Sequence, residues 1–295
     1  GARLVDNLGL WYQYLPEAGS RVAGLIYELS EYPQDAKSLA QEILRLSSLV
    51  KAIDTLQITL EQGFIYLTRD ASLNVQHQRP AMAAIDAIFN VFINEGIDLG
   101  FRQVSLASNG DWLPLLNQAL ACDGEQIWNR GQQFLTPRLR AAGDPLKQKT
   151  NSLTQKTTSV GLTPGWYAIT GGASGIGLEI AKYLATTYAK GLFLLGRSEP
   201  SAEVLAFIEQ AAKAGVKVQV VRCDITREAD VNQWAQALDQ ADISLTGLIH
   251  AAGVVRDQPL DDLDIASLEA VLAPKVDGTT NLIKALAKHP LKHLI

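Results

Sequence analysis

Residues 170–177, TGGASGIG, form a glycine-rich segment whose composition and spacing suit the binding of a phosphate group. The segment follows the apolar run WYAI and precedes LEIAKYLATTY, which has the pattern of a helix. Gly171, Gly175 and Gly177 allow the backbone to turn tightly and to approach a ligand closely. The free N–H groups at the start of the next helix attract a pyrophosphate. The segment therefore predicts a dinucleotide-binding loop, and the alternative is a glycine-rich turn that holds no ligand.

The next apolar run ends in LLGRSEP, at residues 194–200. An acidic residue at the end of this strand binds the ribose hydroxyls of NAD, but this chain has Arg197 and Ser198 there. A guanidinium group holds a 2′-phosphate through two hydrogen bonds. The sequence therefore favours NADP over NAD, and the alternative is that Arg197 is a solvated loop residue.

Two later apolar runs also end in residues suited to a dinucleotide. In VVRCDIT, Asp224 is expected where the end of a strand faces the cofactor crevice, so that its carboxylate accepts a hydrogen bond from the adenine amino group. The alternative is an aspartate that caps a turn or a helix. In LIHAAGV, the small residues Ala251, Ala252 and Gly253 let the backbone lie against the nicotinamide ribose. His250 is interpreted as a core histidine with satisfied hydrogen bonds and not as a catalytic one.

Strand-like and helix-like patterns alternate after residue 165 and provide the elements that carry these motifs. The predicted strands are 166–170, 191–196, 217–224, 245–253 and 293–295, and the predicted helices are about 175–189, 201–214, 228–240 and 264–288. This order predicts a doubly wound α/β subdomain over residues 166–295.

The first 140 residues repeat the alternation without a glycine loop. The predicted elements are strands at 22–29, 63–69 and 101–108, helices at 35–53 and 79–96, a short helix at 111–124 and a hairpin within 125–139. We predict a structural Rossmann-like subdomain without cofactor over 1–140, followed by a linker at 141–165 that is rich in Thr, Ser, Lys, Gly and Pro. The predicted fold class is α/β, with two tandem Rossmann-like, doubly wound parallel sheets, the first one truncated.

The composition excludes several classes of protein. The chain has 295 residues, 47% of them hydrophobic and 19% charged, with a net charge of −5, which argues against a nucleic-acid groove or a basic membrane surface. No apolar run is long enough to span a membrane, and the N-terminus lacks the apolar core of a signal peptide. Cys122 and Cys223 are too far apart for a metal motif, so we predict no metal site and a cytoplasmic location.

The four motifs in this order resemble those of the short-chain dehydrogenase/reductase superfamily. LLGRSEP, HAAGVVRDQPL and LAPKVDGTTNL narrow the resemblance to the ketoreductase domain of modular polyketide synthases, with relatives in animal fatty acid synthase. Such ketoreductases carry a truncated, cofactor-free Rossmann-like subdomain ahead of the catalytic one. RPAMAAIDAIFNVFINEG, at 79–96, corresponds to the characteristic helix of that subdomain.

The resemblance implies a function and assigns the cofactor residues. The implied reaction is the NADPH-dependent reduction of a β-ketoacyl group on the phosphopantetheine arm of an acyl carrier protein, beside neighbouring synthase domains. Arg197, with Ser198 beside it, would hold the 2′-phosphate, and Asp224 with Ile225 would hold the adenine. The pyrophosphate would be held by Thr170, Gly171, Gly172, Ala173, Ser174, Gly175, Ile176 and Gly177.

The resemblance also assigns two residues near the substrate. Lys275, in APKVDG, matches a lysine that supports the catalytic tyrosine. Pro274 interrupts the helical pattern, which predicts a kink that turns Lys275 inward. Asp257 matches an aspartate whose presence accompanies a D-configured hydroxyl product, although Arg256 replaces the first aspartate of the usual Leu-Asp-Asp pattern.

The sequence departs from the family pattern at its end. Catalysis in the family uses a serine and a tyrosine on and just after the fifth strand, whereas this sequence stops at HLI, where that strand begins. None of the eight tyrosines has Lys or Asn four residues later. We therefore expect this chain alone to be inactive, as a segment of a working ketoreductase, a degenerate one or one interrupted by another domain. The alternative functions are a non-catalytic pseudo-ketoreductase scaffold and a free-standing dehydrogenase acting on a small alcohol.

Overall fold

The computed structural model describes residues 15–29, 33–69, 80–106, 112–130, 133–136 and 161–295. These residues form two compact units. The first unit contains the described residues up to 136, except 35–37, together with 258–266. The second unit contains 35–37, 161–257 and 267–295. The predicted linker lies outside the described residues as far as residue 160.

The first unit contains a five-stranded sheet and a separate pair of short strands. Its strands are β1 (Arg21–Val22), β2 (Leu25–Glu28), β3 (Thr59–Leu60), β4 (Phe64–Arg69), β5 (Arg102–Leu106), β6 (Gln126–Arg130) and β7 (Gln133–Leu135). The sheet order is β2-β4-β5-β6-β7, while β1 pairs with β3. Neighbouring strands are parallel except β6 and β7, which are antiparallel and confirm the predicted hairpin.

Among the described residues of the first unit, three helices connect these strands: α1 (Ala36–Thr55), α2 (Pro80–Asn94) and α3 (Leu113–Leu120). Leu39, Ile43, Leu46 and Val50 of α1 are buried, which confirms the predicted apolar face. The strand order of the sheet follows the chain without reversal. A cofactor crevice in an open α/β sheet forms where the strand order reverses, so the described part of the first unit provides no such crevice.

The second unit has a five-stranded, fully parallel sheet. Its strands are β8 (Gly165–Thr170), β9 (Ala189–Gly196), β10 (Lys217–Arg222), β11 (Leu245–His250) and β12 (His293–Leu294). The order is β10-β9-β8-β11-β12, so the chain first winds outward from β8 and then crosses to its other side. The reversal lies between β8 and β11, which is the arrangement of a doubly wound sheet with a ligand crevice.

The helices of the second unit begin and end close to their predicted bounds. They are α4 (Gly175–Thr187), α5 (Ala202–Lys213), α6 (Glu228–Gln240), α7 (Ile265–Ala273) and α8 (Thr279–Ala285). A 3₁₀ turn covers Leu260–Asp262, in the segment 258–266 that belongs to the first unit. The single helix predicted at 264–288 is divided by a π-helical turn at Pro274–Gly278. Proline has no N–H group to donate to the preceding turn, which accounts for the irregularity at this point.

Hydrophobic clusters lie on both faces of the second sheet. Leu192 and Leu194 of β9 belong to one cluster, which includes residues of α4 and α5. Phe193 and Leu195, which alternate with them, belong to the other cluster, with residues of α6 and α8. Alternation along a strand with both sides buried requires helices on both faces. The predicted α/β architecture with parallel sheets is confirmed.

Candidate functional site

The glycine-rich segment connects the C-terminal end of β8 to the start of α4, directly beside the reversal in strand order. The N–H of Gly171 donates to the carbonyl of Leu195, 2.8 Å away. On the other side, the N–H of Ala251 donates to the carbonyl of Thr170, 3.2 Å away. The start of the loop is therefore fastened to both neighbouring strands.

The glycines of this loop fall into two groups. At Gly171, with φ +65°, an added Cβ would lie 3.0 Å from the Cα of Ala252, and at Gly177 it would overlap the carbonyl oxygen of Gly171. These two glycines allow backbone segments to pack against each other. Gly175 has φ +51° but faces open space, since no atom lies within 4 Å of an added Cβ. Its lack of a side chain therefore leaves room for a ligand.

The N-terminus of α4 has uncapped N–H groups. Its N-cap residue, Ser174, is extended and makes no side-chain capping bond. In contrast, the hydroxyl of Ser201 accepts a hydrogen bond from the N–H of Val204, 3.3 Å away, and caps α5 in the usual way. Ser174, Gly175 and Ile176 are also exposed. The first turn of α4 therefore presents N–H donors to solvent, which fits the pyrophosphate of a dinucleotide.

Arg197 and Ser198 lie just beyond β9, and both are exposed. The carbonyl of Gly196 accepts from the N–H of Cys223, 2.9 Å away, so the ends of β9 and β10 are held together. Within the described part of the chain Arg197 has no ion pair, whereas Arg222 lies 3.9 Å from Glu199. The guanidinium of Arg197 is thus available to an anion at this edge of the sheet.

Asp224 and Ile225, the two residues predicted to hold the adenine, make contacts of their own in the structure. Oδ1 of Asp224 accepts from the N–H and the hydroxyl of Thr226, at 3.1 and 2.8 Å, so the turn role considered as the alternative is present. The side chain of Ile225 is 6% exposed and packs in the core. Its carbonyl accepts from the side-chain amide of Asn281, 2.9 Å away. The side chain of Ile225 is therefore enclosed and does not present a surface to adenine.

His250 makes one contact through each of its ring nitrogens, one with the end of β8 and one with the π-helical turn. Nδ1 lies 2.7 Å from Oγ1 of Thr170, and Nε2 lies 3.1 Å from the carbonyl oxygen of Pro274. Oγ1 of Thr170 also accepts from the N–H of Ala252, at 3.1 Å. Burial lowers the pKa of His250, and the hydrogen bond to Pro274 opposes that shift. The prediction of a satisfied histidine is confirmed.

Sequence reasoning did not identify the partners of His250. The pairing of His250 with Thr170 follows from the register of β11 against β8, which the sequence does not specify. The contact with Pro274 depends on the π-helical turn, which the helical pattern of residues 264–288 did not predict.

Lys275 follows Pro274 in the π-helical turn, and its predicted inward orientation stays a prediction. Its side chain is exposed, whereas Pro274 and Gly278 are buried. In a π-helical turn each backbone hydrogen bond joins residues five positions apart. Residues four positions apart, such as Pro274 and Gly278, therefore lie on nearly the same side of the turn. An added Cβ at Gly278 would lie 2.8 Å from Cδ1 of Ile225, which shows how closely this side packs. The turn therefore buries Pro274 and Gly278 and leaves the ammonium group of Lys275 accessible to solvent or to a ligand.

The remaining predicted residues lie after β11. Ala251 and Ala252 are half-buried and lie against Gly171. Gly253 is exposed, with no atom within 4 Å of an added Cβ. Asp257 is also exposed. The small residues of HAAG thus border the glycine loop.

Two other classes of site have no support in the described residues. No group of three or more His, Cys, Asp or Glu side chains there is arranged to hold a metal ion. Likewise, no helix in that part of the chain has the length and apolar character needed to cross a membrane.

The second half of the chain is similar to a known domain family, since residues 165–295 match the family model described as the KR domain. Polyketide synthase ThaG of Burkholderia thailandensis is 35% identical over 213 residues, which are 70% of this chain and 3% of that protein. The mycocerosic acid synthase-like polyketide synthase of Mycobacterium tuberculosis is 35% identical over 127 residues, or 43% of this chain and 6% of that protein. The chain therefore spans only a small part of these relatives.

Solved structures share the fold. The first ketoreductase of the tylosin polyketide synthase aligns with a TM-score of 0.74 and 22% identity, covering 99% of this chain and 61% of that one. A ketoreductase described as A1-type aligns with a TM-score of 0.74 and 21% identity over 100% of this chain and 62% of that one. At these identities the likeness concerns the fold, and it extends over both units.

Proposed function

Because residues 165–295 match the KR (ketoreductase) domain family and resemble those of polyketide synthases, we propose that this chain is part of a ketoreductase that reduces a β-ketoacyl group with NADPH. The substrate is carried by the phosphopantetheine arm of an acyl carrier protein, and neighbouring synthase domains are further partners. The proposed location is the cytoplasm. The first unit serves as the structural, cofactor-free subdomain.

The observation that supports this proposal most directly is the geometry of the glycine loop. Its two packed glycines, Gly171 and Gly177, shape the loop, while Gly175 borders open space and the first turn of α4 is uncapped by Ser174. Without a capping side chain, the first N–H groups of α4 are free to donate to an anion. The arrangement fits a pyrophosphate at the N-terminus of α4.

The preference for NADPH depends on Arg197. The exposed guanidinium stands just beyond β9, where a carboxylate would bind the ribose diol of NAD. The 2′-phosphate of NADPH carries charge that a guanidinium binds through parallel hydrogen bonds. Ser198 adds a hydroxyl donor at the same edge of the sheet.

The residues of this chain have distinct tasks in the proposed reaction. The loop at 170–177 binds the pyrophosphate, and Ala251, Ala252 and Gly253 border the nicotinamide ribose. Asp224 contributes its remaining acceptor capacity to the adenine. When bound, the cofactor supplies hydride to the ketone carbon. Lys275 orients the ribose and stabilises the ionised form of the proton donor.

A titration of the purified chain with NADPH and with NADH, followed by cofactor fluorescence, tests the cofactor site. We expect saturable binding with a clear preference for NADPH. A folded chain that binds neither cofactor would favour the pseudo-ketoreductase scaffold, whose neighbours need only its shape.

Turnover of a β-ketoacyl thioester by the full-length protein tests the reaction. We expect oxidation of NADPH that depends on the thioester and that is faster when the acyl group is carried by an acyl carrier protein. Equal or faster oxidation of NADPH with a small free ketone, or reduction of NADP⁺ with a small free alcohol, would instead favour a free-standing dehydrogenase.

A further inference from the structure

His250 is the last residue of β11 and lies opposite Thr170, the last residue of β8, in the sheet register. The two strands flank the reversal in strand order where the candidate cofactor site lies. The hydroxyl of Thr170 is fully buried, and the imidazole of His250 is half-buried. His250 therefore occupies the floor of the candidate site.

The chemistry of the groups that His250 contacts fixes the direction of its two hydrogen bonds. The carbonyl of Pro274 can only accept, so Nε2 of His250 carries the proton and donates it over 3.1 Å. Nδ1 then has a lone pair and accepts from the hydroxyl of Thr170 at 2.7 Å. The oxygen of that hydroxyl accepts from the N–H of Ala252 at 3.1 Å. A single directed chain of hydrogen bonds runs from Ala252 to Pro274.

The far end of this chain is the peptide group between Pro274 and Lys275. The carbonyl carbon of Pro274 is bonded to the amide nitrogen of Lys275, so a bond to that carbonyl fixes the plane of the peptide. The near end is Thr170, which directly precedes Gly171 at the start of the glycine loop. One imidazole thus ties the loop to the turn that carries the lysine.

We propose that His250 is a positioning residue that sets the glycine loop through Nδ1 and the Lys275 turn through Nε2. The proposal rests on the proposed function for the role of Lys275, but not for the two contacts themselves. An ordinary core histidine would only fill space and satisfy its own polar atoms. If His250 is a positioning residue, loss of the hydrogen bond at one ring nitrogen alters the segment that this nitrogen contacts and leaves the other segment unchanged.

Two substitutions separate the two hydrogen bonds. His250→Asn places an amide oxygen near the position of Nδ1, where it accepts from Thr170, but it does not reach Pro274. His250→Gln extends an amide nitrogen toward the position of Nε2, where it donates to Pro274, but it leaves Thr170 without its acceptor. His250→Phe, which is similar in shape, removes both bonds.

The measurement is backbone amide hydrogen exchange of the chain without cofactor, with NADPH titration as a second readout. For His250→Gln we expect faster exchange at Gly171 and Ala252, unchanged exchange at Lys275 and a roughly three- to tenfold higher Kd for NADPH, as the loss of one hydrogen bond predicts. For His250→Asn we expect faster exchange from Lys275 to Gly278 and a smaller rise in the Kd for NADPH than in His250→Gln, because the loop that binds the pyrophosphate keeps its contact.

The comparison of His250→Asn with His250→Gln can support or refute the role proposed for His250. If His250→Asn and His250→Gln change the same residues to the same extent, or if neither changes any, His250 is not a positioning residue. If His250→Phe fails to fold, the other two variants still decide. If the unsubstituted chain does not bind NADPH, the proposed function fails. The hydrogen-exchange pattern still tests whether His250 sets the glycine loop and the Lys275 turn.

Discussion

The hydroxyl oxygen of Thr170 lies 2.7 Å from Nδ1 of His250 and 3.1 Å from the amide nitrogen of Ala252. It therefore donates to one group and accepts from the other while it is fully buried. A buried hydroxyl with both of its functions used joins the end of β8 to the end of β11. This contact holds the two strands together at the point from which the glycine loop begins.

Replacing Thr170 tests the strength of this contact. Thr170→Val keeps the shape but leaves Nδ1 of His250 and the N–H of Ala252 unpaired, and each such loss costs about 1–3 kcal/mol. We expect the free energy of unfolding to fall by about 2–4 kcal/mol in urea denaturation. Thr170→Ser keeps the hydroxyl and loses one buried methyl group, so its cost is expected near 1 kcal/mol. Equal losses in the two variants would show that the hydroxyl contributes no more than a buried methyl group.

His250 also predicts how stability depends on pH. Its pKa in the folded chain is below the ordinary value of 6.5, chiefly because burial disfavours the charged form. As the pH falls below about 6.5, the unfolded chain takes up a proton that the folded chain does not, and stability is lost until the folded pKa is passed. Above that window the stability contributed by the neutral imidazole is fully present.

The comparison that isolates this effect is urea denaturation of the parent chain and of His250→Gln between pH 8 and pH 5. We expect the parent chain to lose more stability on acidification, because glutamine does not titrate. All other groups are common to both chains and cancel in the difference. A difference that stays constant with pH would contradict the assigned neutral state of His250.

The sequence predicted the elements of the second unit well because each is strongly patterned. The apolar runs at β8 to β11 are bounded by glycine or charged residues, and the loop at 170–177 has its own signature. The sequence predicted the shape of the turn that carries Lys275 less well. A proline in a helical pattern indicates an irregularity, but the sequence does not say which side of the resulting turn each residue faces.

The roles of Ile225 and His250 show a second limit of the sequence. Ile225 follows Asp224 in a loop, yet its side chain packs against Gly278, which lies 53 positions later in the sequence. His250 reaches Pro274 in the same way, across 24 positions. Contacts of this kind depend on where tertiary packing brings distant segments, and local pattern carries no information about them.

The two groups of glycines predict opposite effects of substitution. In Gly177→Ala the added methyl group overlaps the backbone carbonyl of Gly171, so we expect a loss of about 1–3 kcal/mol in the free energy of unfolding. In Gly175→Ala the methyl group enters open space, and the cost of about 1–2 kcal/mol comes only from the left-handed backbone at φ +51°. Gly175→Ala should nevertheless reduce NADPH affinity, because the methyl group occupies the approach of the pyrophosphate.

Cofactor titration of the folded fraction of each variant checks this distinction. Gly215→Ala serves as the control, because Gly215 also has a positive φ, +80°, and an added Cβ there meets no atom within 4 Å, but the residue follows α5, outside the loop. If Gly175→Ala and Gly215→Ala bind NADPH equally well, the open space beside Gly175 is not the pyrophosphate site.

Arg197 predicts cofactor selectivity. Arg197→Ala removes a charge-assisted partner of the 2′-phosphate, and such a bond is worth about 1.5–3 kcal/mol. We expect the Kd for NADPH to rise about 10- to 150-fold, with little change for NADH, which lacks that phosphate. Arg222→Ala is the matched control, since Arg222 is an exposed arginine at the end of the neighbouring strand. An equal effect of both substitutions would indicate a general attraction of anions and not a specific contact.

The stereochemistry of the product depends, in our proposal, on Asp257. This residue is exposed and follows the HAAG segment that borders the glycine loop. If its loop lies beside the substrate, its side chain biases the side from which the acyl arm enters, and so it determines which face of the ketone meets the nicotinamide. We therefore expect the full-length protein to form a predominantly D-configured hydroxyacyl product from a β-ketoacyl thioester, as resolved by chiral chromatography. Asp257→Ala should lower the D-configured share, whereas Asp262→Ala, which changes another exposed aspartate five positions later in the sequence, should not. A mainly L-configured product from the unsubstituted protein, or an identical product ratio in the two variants, would show that Asp257 does not direct the substrate.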